Sequence, residues 1–270
     1  MTAPLQITSR DNPLLMRLRK LAQDGAAYRR VGQVWIEGEH LCRALRERGR
    51  NAAQAVITEG AWQDPALRAL AGSAAQVAIV PTALFKSLSG LESPAQMGFV
   101  IDAPASTEID ATAATVVLDR LQDAGNVGSI LRSAAAFGVA QVLALKGTAA
   151  LWSPKVLRAG MGAHFALKLI EGLDEAALDT LRVPLLATSS HAGEPLPAAA
   201  LPAPCAWVLG HEGQGVSAAL LARCAMQVRI PQPGGEESLN VAAAAAVCLY
   251  ESARQLPPPS SRRSRPPEGA

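Results

Sequence analysis

Apolar and polar positions along this chain fall into short blocks whose period switches between about 3.6 and 2. Leu14, Leu15, Leu18 and Leu21 share one helical face, with Arg17, Arg19 and Lys20 on the remainder, so a helix is predicted over 14–22, opened by Asn12-Pro13. Short apolar runs follow at 33–36, 55–58, 76–80 and 97–101, and read as strands. Between them, 39–48, 65–71 and 82–87 read as helices. The alternation predicts a small sandwiched α/β unit.

The second half repeats the alternation over longer intervals. Strands are predicted at 114–119, 140–145, 164–170, 183–188, 205–209 and 226–230, and helices at 127–137, 153–160, 174–182, 216–223 and 239–255. Strands separated by helices imply a mostly parallel sheet covered on both faces. Residues 102–113 have linker composition. From Leu256 the chain is rich in Pro, Ser and Arg without periodicity, which predicts a disordered tail. The expected organisation is therefore an α/β domain over 1–101, a linker over 102–113, an α/β domain over 114–255 and a tail over 256–270.

Composition narrows the class. Hydrophobic residues make up 49% of the 270, enough for a real core, and aromatics only 4%, so that core is aliphatic. No apolar run approaches the roughly 18 residues of a membrane span, and Met1-Thr-Ala-Pro-Leu-Gln lacks the pattern of a signal peptide. A cytoplasmic protein without membrane contact is expected. Cys42, Cys205, Cys224 and Cys248 are scattered, with no Cys-x-x-Cys pair, so reduced thiols are expected and no metal site.

Net charge is +2, but the charge is unevenly distributed. Residues 1–50 carry ten Lys/Arg against five Asp/Glu, whereas 51–113 carry two against six. The basic segment holding Arg10, Arg17, Arg19, Lys20, Arg29 and Arg30 is a candidate track for nucleic-acid phosphates; an ordinary solvated helix face fits the same charges.

Three polar, glycine-containing segments in the second half carry the candidate chemistry. The first is Leu118-Asp-Arg-Leu-Gln-Asp-Ala-Gly-Asn-Val-Gly-Ser-Ile-Leu-Arg132. Asn126 is a natural cap for a helix starting near Val127, and Arg132 follows within two turns. The second, Val208-Leu-Gly-His-Glu-Gly-Gln-Gly215, is a tight loop after a strand, with Glu212 among glycines whose N–H groups face a ligand or simply close a turn. The third, Ile230-Pro-Gln-Pro-Gly-Gly-Glu-Glu-Ser-Leu-Asn240, leads into an Ala-rich helix that Ser238 or Asn240 caps.

Taken together and in this order, the three segments resemble the motifs of the SpoU (TrmH-type) RNA ribose 2′-O-methyltransferases of the SPOUT superfamily. Ile7-Thr-Ser-Arg-Asp-Asn-Pro13 and Trp35-Ile-Glu-Gly-Glu39 resemble the RNA substrate-binding domain attached to that family, so the likeness covers nearly the whole chain.

The resemblance implies a trefoil-knotted α/β domain, S-adenosylmethionine as cofactor, a homodimer whose active site is completed across the interface, and RNA as substrate, with ribosomal RNA favoured over transfer RNA. It assigns the functional polar positions to Asn126, Arg132, Glu212, Ser238 and Asn240, with Asn126 and Glu212 orienting Arg132 or the ribose. It assigns cofactor contacts to Thr188, Gly210, Gly213, Ile230, Ser238 and Leu239. Ala124 stands where the family commonly has proline, and His211 where it varies; neither departure removes a catalytic group. A transfer-RNA methyltransferase and a non-catalytic RNA-binding or ribosome-assembly factor are the competing readings. A nucleotide-dependent oxidoreductase is disfavoured, because no Gly-x-Gly-x-x-Gly turn opens the first helix of a βαβ unit.

Overall fold

The computed structural model describes residues 3–89, 93–104, 108–189, 192–234 and 238–256. The first half contains β1 (Leu5–Gln6), α1 (Pro13–Gln23), α2 (Ala27–Val31), β2 (Gln33–Glu37), α3 (Glu39–Glu47), β3 (Gln54–Thr58), α4 (Glu59–Trp62), α5 (Pro65–Ala71), β4 (Gln76–Val80), α6 (Thr82–Lys86) and β5 (Met97–Asp102). Its five-stranded sheet runs β1-β4-β3-β5-β2, parallel at β1/β4 and β3/β4 and antiparallel where β5 meets β2 and β3. As its apolar spacing requires, α1 buries Leu14, Leu15, Leu18 and Leu21; Asn12 accepts the Leu14 N–H at 2.9 Å and Pro13 fills the first helical position.

The second half contains β6 (Thr115–Leu118), α7 (Ala124–Ala136), β7 (Gln141–Leu145), α8 (Pro154–Gly160), β8 (Lys168–Leu173), β9 (Leu185–Thr188), β10 (Glu194–Pro195), β11 (Ala206–Leu209), α9 (Ala218–Arg223), β12 (Met226–Arg229) and α10 (Val241–Gln255). Its seven strands, ordered β10-β12-β9-β11-β6-β7-β8, are parallel at every pairing. β6, β7 and β11 are buried throughout, the signature of a parallel sheet with both faces covered. The chain leaves β6 toward β7 and β8, then returns to β6's other side for the remaining strands. This places a topological switch point between β6 and β11, where open α/β sheets bind ligands beyond their carboxyl ends.

β1, α2, α4 and β10 are additional to the elements expected from sequence, and four expected segments take a different form. α7 begins at Ala124, not Val127, because Asp123 accepts the Asn126 N–H at 2.7 Å and so takes the cap role expected of Asn126. The strand expected over 164–170 begins at Lys168; Ala163–Phe165 is a 3₁₀ turn that buries His164 and Phe165. The helix expected over 174–182 is a 3₁₀ stretch, Glu175–Thr180. In the expected linker, Asp102 completes β5, and buried Gln141 holds residue 110 by accepting the Asp110 N–H and donating to its carbonyl, at 3.0 and 2.7 Å. The tail from residue 257 lies outside the described residues. All four cysteines are free, and among the described residues no helix is long and apolar enough to cross a membrane.

His164 has a consequence for stability. It is fully buried, packs against Trp152 with ring centroids 5.1 Å apart and planes tilted by 56°, and bonds the Leu151 carbonyl through Nε2 at 2.9 Å; Nδ1 has no partner among the described residues. Burial pushes its pKa down to about 4, against 6.5 when exposed. The unfolded chain therefore binds the proton first as pH falls. The stability present above pH 6.5 is lost progressively toward pH 4, amounting to on the order of 2 kcal/mol at pH 5. Urea unfolding is expected to show this loss in the wild type and not in His164→Gln; equal pH dependence of the two would contradict it.

Candidate active site

The site is built where the three polar segments leave the carboxyl ends of their strands. β6 ends at Leu118, and the next residue, Asp119, is buried. Its carboxylate accepts the Ser217 N–H at 2.8 Å, tying β6 to the start of α9, and the Arg120 Nε–H at 2.8 Å. Arg120 holds a left-handed backbone, φ 60, as the chain turns into α7.

Glu212, on the loop after β11, then reaches back to this turn. One carboxylate oxygen accepts the Asp123 N–H at 3.0 Å and the Asn126 side-chain amide at 3.2 Å; the other accepts the Gln122 N–H at 3.3 Å. Asn126 Oδ1 in turn accepts the Asn240 amide at 3.0 Å. Asn240 Oδ1 caps α10, accepting the Ala242 and Ala243 N–H groups at 2.9 and 3.3 Å. All three segments are thus joined through one carboxylate and two amides, and the chain of donors and acceptors fixes both amide orientations. Burial works to raise the Glu212 carboxyl. The donors around it, including its own backbone and those of Asp123 and Gln122, outweigh that and leave it ionised below its ordinary range.

The joined loops wall a cleft of about 810 Å³ beyond β9, β11 and β12. Thr188, Gly210, Gly213, Ile230, Ser238 and Leu239, the six residues expected to hold a cofactor, all line it, together with Glu212 and Asn240. Gly210 is required sterically: a Cβ there would lie 2.1 Å from Gly215 C and Val216 N, so the loop closes on itself only without a side chain. His211, which also lines the cleft, accepts the Gly213 N–H on Nδ1 at 3.0 Å, so its role in the structure is to shape the loop. Volume and lining suit a mid-sized ligand with polar and apolar parts: Ile230, Leu239 and Val216 offer apolar walls, and Thr188, Ser238, Gln232 and the glycine backbone offer hydrogen-bonding groups. A second cavity of about 280 Å³, at the amino ends of β6 and β11, is lined mainly by apolar residues and lacks convergent polar groups.

Two expected site residues lie elsewhere. Asn126 is in the first turn of α7 and meets the site through Glu212 and Asn240. Arg132 is exposed on α7, outside the cleft lining, without a hydrogen bond or ion pair among the described residues. Within the chain Glu212 bonds the turn before α7, and among the described residues it makes no hydrogen bond or ion pair with Arg132. Of the basic residues on the first half, Arg10 and Lys20 are exposed. Arg19 donates to the Arg10 carbonyl, Arg30 pairs with Asp24, and Arg29 pairs with Glu171 at 3.0 Å. Asp119 is a site residue that the three-motif resemblance does not assign, although a carboxylate directly after an apolar strand run is a readable signal.

Comparison with known proteins decides the family. The SpoU rRNA methylase family model matches residues 113–250. This chain belongs to that family. The uncharacterized tRNA/rRNA methyltransferase slr1673 of Synechocystis is 34% identical over 258 residues, covering 92% of this chain and 93% of that protein. The 23S rRNA (guanosine(2553)-2′-O)-methyltransferase RlmP of Bacillus subtilis is 35% identical over 170 residues, covering 62% of this chain and 68% of the relative. A crystal structure of an RNA 2′-O ribose methyltransferase superposes with a TM-score of 0.78 at 32% identity, covering 93% of this chain and 99% of that one. The SpoU match spans β6 to α10, and so contains all three joined segments.

The packing separates glycines that the fold needs from those it tolerates. Gly128 on α7 leaves no room for a Cβ, which would meet Ala159 Cβ at 2.4 Å and the Gly160 N and Val156 O atoms of α8 at 2.8 Å. Gly128→Ala is expected to lower unfolding free energy by about 1–3 kcal/mol. Gly213→Ala, which among the described residues meets only His211, at 3.9 Å, should be close to neutral. Chemical denaturation of the two variants checks the contrast; equal stabilities would contradict the packing described.

Proposed function

We propose that this chain methylates a ribose 2′-hydroxyl in ribosomal RNA, with S-adenosylmethionine as donor. The observation that carries this reading is the cleft itself: the six residues assigned to the cofactor from sequence come from three separate segments and converge on one cavity. When bound, the cofactor supplies an electrophilic methyl group on a sulfonium. Everything else falls to the protein. The backbone around Gly210, Ile230 and Leu239 would hold the cofactor's adenine and methionine parts, with Thr188 and Ser238 lining the same cleft. Glu212, Asn126 and Asn240 keep the walls in register.

The acceptor hydroxyl is a weak nucleophile that must be aligned and must lose a proton. A guanidinium is too weak an acid to serve as a base near neutral pH, so Arg132 serves as a grip on the adjacent phosphate that orients the hydroxyl, while the proton leaves to phosphate or water. Alignment alone lowers such barriers by roughly 7–11 kcal/mol in favourable cases.

Arg132 stands outside its own chain's cleft, which fits an active site completed by a second copy. α7 and α10 pack together and expose adjacent stripes, Ser129, Arg132 and Ala136 on one, Ala243, Val247 and Tyr250 on the other. Tyr250 is 56% exposed, and Val247 41%. An apolar stripe of this kind beside an unpaired arginine supports a homodimer through these helices. Residues 1–101 form the substrate-binding domain in this reading, with Arg10, Arg17, Arg19 and Lys20 along the RNA. The trefoil threading is part of the same proposal: β12 lies between β9 and β10, yet the following α10 returns to pack on α7. The cytoplasm, where ribosomal RNA is met, is the proposed location.

Nucleotide-resolution mapping of ribose methylation in cells with and without this gene tests the reading. One lost mark in ribosomal RNA is expected; a mark lost only from transfer RNA would move the target, and no lost mark would favour a non-catalytic binding factor. Arg132→Ala is expected to lower kcat by about a hundredfold or more with cofactor affinity intact by calorimetry. Full activity in that variant would remove its assigned role.

A further inference from the structure

Glu171 is a half-buried carboxylate on β8, the edge strand of the seven-stranded sheet, and it does not touch the cleft. Its surroundings join the two halves of the chain. One oxygen accepts the Tyr28 hydroxyl and the Arg29 Nε–H, the latter at 3.0 Å; the other accepts the Leu151 N–H at 3.0 Å. Tyr28 and Arg29 belong to α2 in the first half, and Leu151 lies just before α8 in the second. The strand is shaped to present this side chain. The β7/β8 register shifts beside Glu171, with Gly172 as the extra residue in the left-handed region, φ +73; such bulges re-aim neighbouring side chains.

The tyrosine is buried, and burial followed by the carboxylate holds its phenol protonated well above the ordinary value. The Glu171 carboxyl stays ionised because Arg29, Tyr28 and the Leu151 N–H outweigh its desolvation. The surfaces on either side fit closely. A Cβ on Gly25 would sit 3.3 Å from Ser153 Cβ, and one on Gly162 would sit 2.7 Å from Ala44 Cβ. α8 packs against α1 and β2 on one side and, through Gly128, against α7 on the other. α7 carries Asn126 and Arg132.

We infer that Glu171 is a positioning residue: it fixes the first half, which brings the RNA, relative to the donor cleft. Arg29 serves this joint as a structural cation and not as a phosphate contact. The inference rests on the RNA methyltransferase reading above. It also makes a prediction against simple electrostatics. Replacing Glu171 with Gln removes a negative charge and by charge alone should tighten RNA binding; a loosened joint should weaken it.

The test uses the full chain with ribosomal RNA from cells lacking the gene. Tyr28→Phe, which keeps the ring and the net charge, and Glu171→Gln are each expected to raise KM for RNA about fivefold or more. kcat at saturating RNA and the calorimetric Kd for S-adenosylmethionine should stay within twofold. Arg29→Ala should match Tyr28→Phe and leave the slope of log Kd for RNA against log salt unchanged. Any of three results would overturn the proposal: an unchanged KM in Tyr28→Phe, tighter RNA binding in Glu171→Gln, or a salt slope reduced by about one in Arg29→Ala, the mark of a lost phosphate contact. The RNA-affinity measurements need no methyl transfer. A wild type that binds RNA without methylating it would therefore count against the enzymatic reading and leave this one testable.

Discussion

The carboxylate of Glu212 is the contact on which the site depends. A parallel sheet delivers its loops to one edge but does not by itself hold them together, since each loop is free to close on its own strand. Glu212 binds two N–H groups of the turn before α7 and the amide of Asn126, and Asn126 passes the link to the cap of α10. The residues involved are separated by 86 and 114 positions in sequence, so the cleft exists only once the whole second half has folded. A neutral acceptor would make the same bonds more weakly, because hydrogen bonds to an ionised partner are roughly twice as strong.

From that joint the molecule divides its work between surfaces. The cleft faces the ends of β9, β11 and β12, and its walls mix apolar side chains with glycine backbone. Arg132 stands on a different face, along the stripe that α7 shares with α10. The basic helix α1 belongs to the other sheet and reaches the second half through α8 and the Glu171 joint. Cleft, Arg132 and basic helix are thus on three faces, and their relative placement is set by side-chain contacts rather than by a single continuous element.

Much of this was legible in the sequence, for identifiable reasons. The parallel strands are continuous apolar runs, and the helices of the second half start at readable caps such as Ser153-Pro154. Five of the six expected cleft residues sit in the second and third motifs, and the order of the three motifs is more specific than any one of them; Thr188, at the end of β9, lies in none. What was hidden was set by long-range contacts. Asp123 and Asn126 are both competent caps; Asp123 prevails, and Asn126 is drawn to Glu212. His164 and Phe165 extend an apolar run that reads as a strand, yet they turn inward as a 3₁₀ segment. β1 and β10 are two residues each, too short for any period to register. Arg29 looks like part of a basic track, and only its distant partner Glu171 reveals its other commitment.

The most direct test of the central claim is the chemical position of the transferred methyl. Purified protein, S-adenosylmethionine labelled in the methyl group and ribosomal RNA lacking the modification would be incubated together, and the RNA hydrolysed in alkali. A methylated 2′-hydroxyl blocks cleavage of the adjoining phosphodiester, so the account predicts that label appears in alkali-resistant dinucleotides. Label in mononucleotides would show methylation of a base instead, and would contradict the assignment of the cleft and of Arg132 to a ribose acceptor.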